Sequence, residues 1–410
     1  MTVATKKLNL NVQIELLRHC IDSSISLEDE LNRLGLSYES LRYRNDEASL
    51  NLFQQSQSRS EGLLPVREAV TQTDIPVISF FSGAGGLDLG FEAAGFHHAA
   101  AIEINSLFCD TLRKNRPHWS VLGPPVHSGD IRNKDEYSHL LRQGLSIPTP
   151  FEGVFIGGPP CQSFSIAANQ RFSKSGENFK RTGFDHVDYG NLLFEFIWYI
   201  KEFRPRAFLI ENVAGLLSVD DGIQVQRAVE ELVAAGYQVQ SPRVVNAASF
   251  GVPQYRQRVF LIGSRTGECP QFPIPDSLRV PCGQVLSLPI NDVECHVTRV
   301  HRAESVLRYM EMNYGQREPL GRVDRLDPNA PSKTVIAGGA KGGGRSHLHP
   351  EIPRTLSVRE SARIQTFPDD FVFCGPPARQ FTQVGNAVPP LLAYKFATSI
   401  YQGAYNYKRA

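Results

Sequence analysis

Cys161 stands in the run Gly157-Gly158-Pro159-Pro160-Cys161-Gln162-Ser163, directly after an apolar segment ending at Ile156. Two prolines stiffen such a turn and fix the direction in which the thiol points. Most lone cysteines are buried and inert, and Cys109 reads that way. Cys161 differs because its turn lies at the C-terminal end of a strand, where open parallel sheets place their ligands. Glu211, in Glu211-Asn212-Val213, closes the strand Ala207 to Ile210 and should face the same crevice. Gln254, Arg256 and Arg258 alternate. Residues two apart in an extended chain share a face, so both guanidiniums project together, towards an oxygen, a phosphate or Glu211 itself. A thiol, a carboxylic acid and arginines are the parts of nucleophilic catalysis with proton transfer.

A second group of residues suits a nucleotide-like ligand. Ile78 to Phe81 runs into Ser82-Gly83-Ala84-Gly85-Gly86 and then a helical pattern. Glycines let the backbone approach a ligand, and a helix start favours an anion. Glu103 closes the next strand about 20 residues on, where an acid binds ribose hydroxyls. Asp130 follows a third strand candidate and can accept from an adenine amino group. Each acid alone reads equally well as a solvated loop carboxylate, and a nicotinamide cofactor would fit the glycine turn too, although the spacing FxGxGG departs from GxGxxG.

The elements that must carry these residues follow from periodicity. Val77 to Phe81, Ala99 to Ile104, Gly153 to Ile156, Ala207 to Ile210 and Val259 to Ile262 are predicted strands, with amphipathic helices such as Asn191 to Phe203 and Gln224 to Ala235 between them. The alternation predicts a largely parallel α/β sheet. It spans residues 74–265. Residues 266–345, rich in Pro, Arg and Gly, read as a smaller irregular domain, and 346–410 as a return that completes the first. Residues 1–73 form a helical extension. Leu10, Ile14, Leu17 and Ile21 recur at helical spacing, a second run covers Leu27 to Leu34, and after Gly35 another helix is expected over Tyr38 to Arg44. A helix, a tight turn and a helix ending in Arg42, Tyr43 and Arg44 resembles a helix-turn-helix; a small packing domain is the plainer alternative.

Composition limits the function classes. Hydrophobic residues make up 41% and charged residues 21% of the 410, as in soluble globular proteins. The longest apolar runs fall short of a membrane span, no export leader is visible, and seven cysteines without a CxxC pair suggest neither a disulfide framework nor a zinc site. A cytoplasmic protein without metal is expected. A net charge of +1 requires any nucleic-acid surface to be a local patch.

FSGAGG, GGPPCQSFS, ENV, QYRQR, the stretch from Arg359 to Asp369 and Gln383-Val384-Gly385-Asn386-Ala387-Val388-Pro389 resemble, in order, the motifs of C5-cytosine DNA methyltransferases of the bacterial restriction-modification type, over roughly residues 76–401. One departure is Ser79, where the family usually has Asp, which leaves open a hydrogen bond behind the glycine loop. The resemblance implies a Rossmann-like S-adenosylmethionine-dependent sheet with a target-recognition domain. It also implies methyl transfer to carbon 5 of a flipped cytosine, with S-adenosylhomocysteine as product. Cys161 would be the nucleophile and Glu211 the proton donor, with Arg256 holding the cytosine O2 or orienting Glu211 and Arg258 a further catalytic residue. Phe81, Gly83, Gly85, Gly86, Leu87, Glu103, Ile104, Asp130, Ile131, Pro159, Leu193, Asn386 and Val388 would line the cofactor pocket, which requires the last helix to pack beside the first strand.

Double-stranded DNA is then the expected partner, bound by a monomer. The long polar segment Ser165 to Gly190 reads as a closing loop, since such lengths inside a domain are usually functional or disordered. Its Arg171, Lys174, Lys180 and Arg181, together with Ser163 and Gln254, are candidate DNA contacts. Lys341-Gly342-Gly343-Gly344-Arg345 can bring backbone and guanidinium to guanine; a flexible return to the sheet is the alternative for this run. An RNA cytosine methyltransferase is the competing reading of the chemistry, and promoter binding through residues 1–73 is a candidate second function.

Overall fold

The computed structural model describes residues 7–44, 73–160, 192–266, 268–290, 293–320, 323–337 and 347–405. They fall into two compact units. The described residues up to 44, Val252–Tyr255 and Leu278–Asn386 form one; those from 73 to Gly251, Arg256–Ser277 and from Ala387 onward form the other.

The second unit is built on an eight-stranded sheet in the order β3-β2-β1-β4-β5-β8-β6, with β7 also paired to β8. The strands are β1 (Pro76–Phe80), β2 (His97–Ile102), β3 (Val121–Leu122), β4 (Val154–Gly157), β5 (Ala207–Val213), β6 (Gln238–Val239), β7 (Arg243–Asn246) and β8 (Gln257–Ser264). The first five are mutually parallel, whereas β8 runs antiparallel to β5, β6 and β7. β1 lies between β2 and β4, so the order reverses there, and such a switch point opens a crevice beyond the strand C-termini. All five predicted strands are present.

Strands buried on both faces read as continuous apolar runs, and Val154–Gly157 is buried throughout. Between sheet and helices, Phe80 packs 5.1 Å from Phe155, 4.7 Å from Phe196 and 5.2 Å from Tyr199, ring centre to ring centre. The last two belong to the helix Leu192–Phe203. The final helix, Pro390–Ala404, packs on the helix Gly86–Ala93 that follows β1: a Cβ on Gly90 would lie 2.3 Å from that of Ala393.

In the other unit the helices Leu10–Asp22 and Leu27–Arg33 match the apolar spacing, each started by a side-chain cap, Asn9 and Ser26. The helix expected over Tyr38 to Arg44 is absent. A three-residue 3₁₀ turn, Tyr38–Ser40, gives way to extended chain, because Tyr38, Leu41 and Tyr43 are each drawn into the unit's interior. A helix-turn-helix in that register therefore lacks its second helix. The helix Val358–Ile364 starts with a full capping box between Ser357 and Glu360.

Candidate active site

Glu211 sits in β5 opposite Phe260 of β8 and is 8% exposed. The expected strand ends at Ile210; β5 continues through Val213, paired with β8 to Arg258, which holds the carboxyl on a rigid element. Arg258 Nε lies 3.0 Å from Glu211 Oε1. Arg256 just precedes β8 and is 1% exposed. Its N–H donates to Asn246 Oδ1 at 3.2 Å and its carbonyl accepts from Ala247 at 2.9 Å. Gln254 and Arg256 are buried, Arg258 is half-buried and Gln257 is exposed. Burial raises the pKa of Glu211 against the opposing charges of Arg258 and Arg256. Burial and the adjacent Arg258 bring the Arg256 guanidinium well below its usual range, with Glu211 opposing.

The turn after β4 meets this corner. A Cβ on Gly158 would lie 3.1 Å from Glu211 Oε2, and Asn212 Nδ2 donates to the Pro159 carbonyl at 3.2 Å. Neither Gly158 nor Asn212 is among the residues that the sequence singles out; the paired glycines before the prolines and the Asn after Glu211 are the available signals. Cys161 itself lies outside the described residues, as do Ser163, Arg171, Lys174, Lys180, Arg181, Lys341 and Arg345. Cys109, by contrast, is a fully buried thiol pushed up to about 12 mainly by that burial, with its Sγ 3.3 Å from the Glu103 carbonyl.

At the end of β1 the chain turns through Phe81, Gly83 and Gly85 with φ of 55°, 57° and 81°. Gly85 is the N-cap of the helix Gly86–Ala93. Glu103 braces the turn: Oε2 accepts from Gly83 N–H at 2.8 Å and Oε1 from Asn105 N–H at 2.7 Å. Burial raises its pKa, and these backbone donors oppose the rise. Ile104, beside it, is 56% exposed.

The sequence profile of the C-5 cytosine-specific DNA methylases matches residues 75–402. This chain belongs to that family. It is a DNA cytosine methyltransferase. Among curated relatives, the Type II methyltransferase M.Eco47II of Escherichia coli is 31% identical, over 94% of this chain and 97% of its own length. M1.HphI of Haemophilus parahaemolyticus is 34% identical over 79% and 86%. A prophage-encoded methyltransferase structure from E. coli superposes with a TM-score of 0.65 at 25% identity, covering 82% of this chain and 100% of that one. The S. pombe Dnmt2 structure, at 14% identity and a TM-score of 0.53 over 82% and 100%, shares the fold.

Around the methyltransferase's glycine turn the remaining predicted residues are distributed unevenly. Leu87, Ile131, Pro159, Leu193 and Val388 are buried, and a Cβ on Gly86 would lie 2.2 Å from the Val388 carbonyl. Asn386 is exposed at the end of the helix Pro377–Asn386, in the other unit. Asp130 is gripped by Arg132, whose Nε and Nη2 lie 2.9 and 2.7 Å from its oxygens; this hydrogen-bonded cation holds its pKa low. Where the family usually has Asp, the buried Ser79 accepts from the Ser82 hydroxyl at 3.0 Å, so the hydrogen bond behind the loop is supplied by a shorter pair.

Gly129, which carries no signal of its own in the sequence, has φ of 74°, and a Cβ there would lie 2.2 Å from the Glu103 carbonyl. Gly129→Ala should cost roughly 1–3 kcal/mol, the usual size of a strained backbone. A lower denaturation midpoint together with weaker S-adenosylmethionine binding is expected by calorimetry; wild-type values for both would show that the turn adapts freely.

Gln254 requires a correction. The sequence places it among the DNA contacts, but it is fully buried. Its Oε1 accepts from Val335 N–H at 2.9 Å and its Nε2 donates to Gln365 Oε1 at 2.8 Å. Its side-chain amide thus has one buried partner at each end, and no face of it reaches solvent. Gln254→Leu should destabilise this unit by about 1–3 kcal/mol, the cost of breaking buried hydrogen bonds, seen as a shifted urea midpoint; an unshifted midpoint would contradict it.

Among the described residues no group of three or more His, Cys, Asp or Glu is arranged to hold a metal ion, and no helix is long and apolar enough to cross a membrane.

Proposed function

We propose that this methyltransferase acts on a cytosine flipped out of duplex DNA at one short site, through a covalent bond between Cys161 and cytosine carbon 6. One observation carries the reading: Gly158 and Pro159 are seated against Glu211 and Asn212, so the turn leading to Cys161 starts at a buried carboxyl with a raised pKa.

The glycine turn suits S-adenosylmethionine. Gly83 and Gly85 carry no side chain at two positions of it, Glu103 presents a buried carboxylate at its edge, and exposed Ile104 offers an apolar surface to an adenine face. Phe81, Leu87, Asp130, Ile131 and Leu193 are proposed as further cofactor contacts. When bound, the cofactor supplies an electrophilic methyl group.

Carbon 5 of cytosine is a poor nucleophile, and a soft thiolate adding to carbon 6 activates it. As the Cys161 thiolate adds, Glu211 gives its proton to ring N3, and electron density moves to carbon 5, which takes the methyl group. The carbon 5 proton is then lost, the returning electrons expel Cys161 as thiolate, and the N3 proton goes back to Glu211, restoring the neutral ring and the acid. Arg258 orients the Glu211 carboxyl, and Arg256 supports the same corner. A stacked base cannot reach a pocket at the strand ends, hence the flipping.

Arg171, Lys174, Lys180 and Arg181, with Ser163, are proposed to close on the DNA backbone, and Lys341 and Arg345 to read the site. The relatives' designation as Type II methyltransferases supports a protective role beside a restriction nuclease. Purified protein with labelled S-adenosylmethionine should label mixed-sequence duplex DNA and leave tRNA unlabelled. Label in tRNA alone would turn the reading to RNA.

A further inference from the structure

Residues 7–44 precede the family match, yet they are not a separate body. Leu17, Leu27, Leu31 and Leu41 share one apolar core with Ala303, Val306 and Met310. Gln13, fully buried, donates to the Arg42 carbonyl at 3.0 Å and accepts from Arg42 N–H at 3.0 Å. The basic end of the segment is also committed. Tyr43 is 1% exposed, its ring lies 3.4 Å from the guanidinium of buried Arg325, and its hydroxyl donates to the His349 carbonyl at 2.8 Å. Arg44 pairs with Glu311 at 2.9 Å.

Two buried arginines depend on these partners. Arg325 donates to the carbonyls of Met312 and Pro350 at 2.7 and 2.9 Å, and it bridges to Leu348. Arg354 binds Glu360 through two nitrogens at 2.8 Å each, and Glu39 at 3.0 Å. A buried guanidinium is costly unless its partners surround it. The segment supplies a ring to one and a carboxylate to the other; Arg354 lies within the peptide 347–355, and Arg325 binds that peptide at Leu348 and Pro350.

We propose that residues 7–44 are a fixed component of the unit that reads DNA, with Tyr43 and Glu39 as positioning residues for target recognition, and not a module that binds a promoter independently. The proposal rests on assigning target reading to this unit.

Full-length Tyr43→Ala, Tyr43→Phe and Glu39→Gln are compared with wild type on the duplex site found by bisulfite sequencing. Tyr43→Ala and Glu39→Gln should raise KM for DNA. The rise in Tyr43→Ala should be about tenfold, the effect of removing a ring–guanidinium interaction and a hydrogen bond together. Tyr43→Phe, which keeps the ring, should stay within roughly threefold of wild type, the loss of one hydrogen bond. Turnover at saturating DNA and S-adenosylmethionine affinity should not change. Unaltered KM in both Tyr43→Ala and Glu39→Gln overturns the proposal. So does a joint loss of turnover, cofactor affinity and DNA binding that Phe fails to relieve, since the segment would then serve folding alone. A wild type that methylates no duplex would instead overturn the reading of function.

Discussion

Replacing Cys161 by serine abolishes methyl transfer and leaves S-adenosylmethionine binding at its wild-type strength. A serine hydroxyl is a far poorer nucleophile than a thiolate towards carbon 6, and without that addition carbon 5 has no electron density to donate. The groups proposed to hold the cofactor depend on other elements: the glycine turn after β1, Glu103 at the end of β2, and the backbone N–H groups that brace it. Chemistry and binding should therefore separate. Isothermal titration with the cofactor, run beside a labelled-methyl assay on duplex DNA, measures both. Substantial remaining turnover would move the nucleophile to another residue.

Glu211→Gln should slow methyl transfer by roughly 10² or more, the usual contribution of a positioned general acid. Its pH dependence gives a sharper test. Glu211 is held above the ordinary carboxylate range by burial, while Arg258, in contact with it, and Arg256 act in the opposite direction. A raised carboxyl pKa keeps the proton on Glu211 to higher pH, so turnover should fall as pH rises through that pKa. In Glu211→Gln this alkaline limb should vanish. In Arg258→Gln the loss of the nearest cation should raise the Glu211 pKa further and move the limb upward. A limb that stays in place in Glu211→Gln would remove Glu211 from the proton step. The same sign applies to stability. The folded state favours the protonated form, so the contribution of Glu211 is fully present below its unfolded pKa, is lost as pH rises through the folded pKa, and is unfavourable to folding above it.

Strand positions are legible because β1, β4 and β5 are short apolar runs that end in chemically distinctive turns, and a run of that kind has one place in a doubly wound sheet. That Arg256 and Arg258 both lie near Glu211 while Gln257 is exposed agrees with simple alternation. Alternation does not say what each residue will meet. Gln254 points inward as expected, but into packed interior, since the Val335 amide and Gln365 close over it. Beyond Arg33 the N-terminal segment departs from its expected helix for a similar reason. Tyr38 and Leu41 are at helical spacing and Leu41 and Tyr43 at strand spacing, so no single period covers the three; their partners, His301, Val306, Arg325 and His349, are more than 250 residues away in the chain. Contacts at that separation leave no periodic trace. Gly129 is silent in the sequence, and Gly158 is marked only by its place in a glycine pair, because a glycine's need for empty space becomes visible only once its neighbour, the Glu103 carbonyl or the Glu211 carboxylate, has been placed.

Mass spectrometry of a trapped complex tests directly whether Cys161 and Glu211 act on one base. A duplex carrying 5-fluorocytosine at the target base has no carbon 5 proton to lose, so a ring that has accepted both thiol and methyl cannot expel the enzyme. Incubated with the wild-type chain and S-adenosylmethionine, it should yield a covalent protein–DNA species whose modified peptide contains Cys161. Glu211→Gln should form the same species far more slowly. Methylation of ordinary DNA with no trapped species, or a cross-link at any other cysteine, would contradict the mechanism.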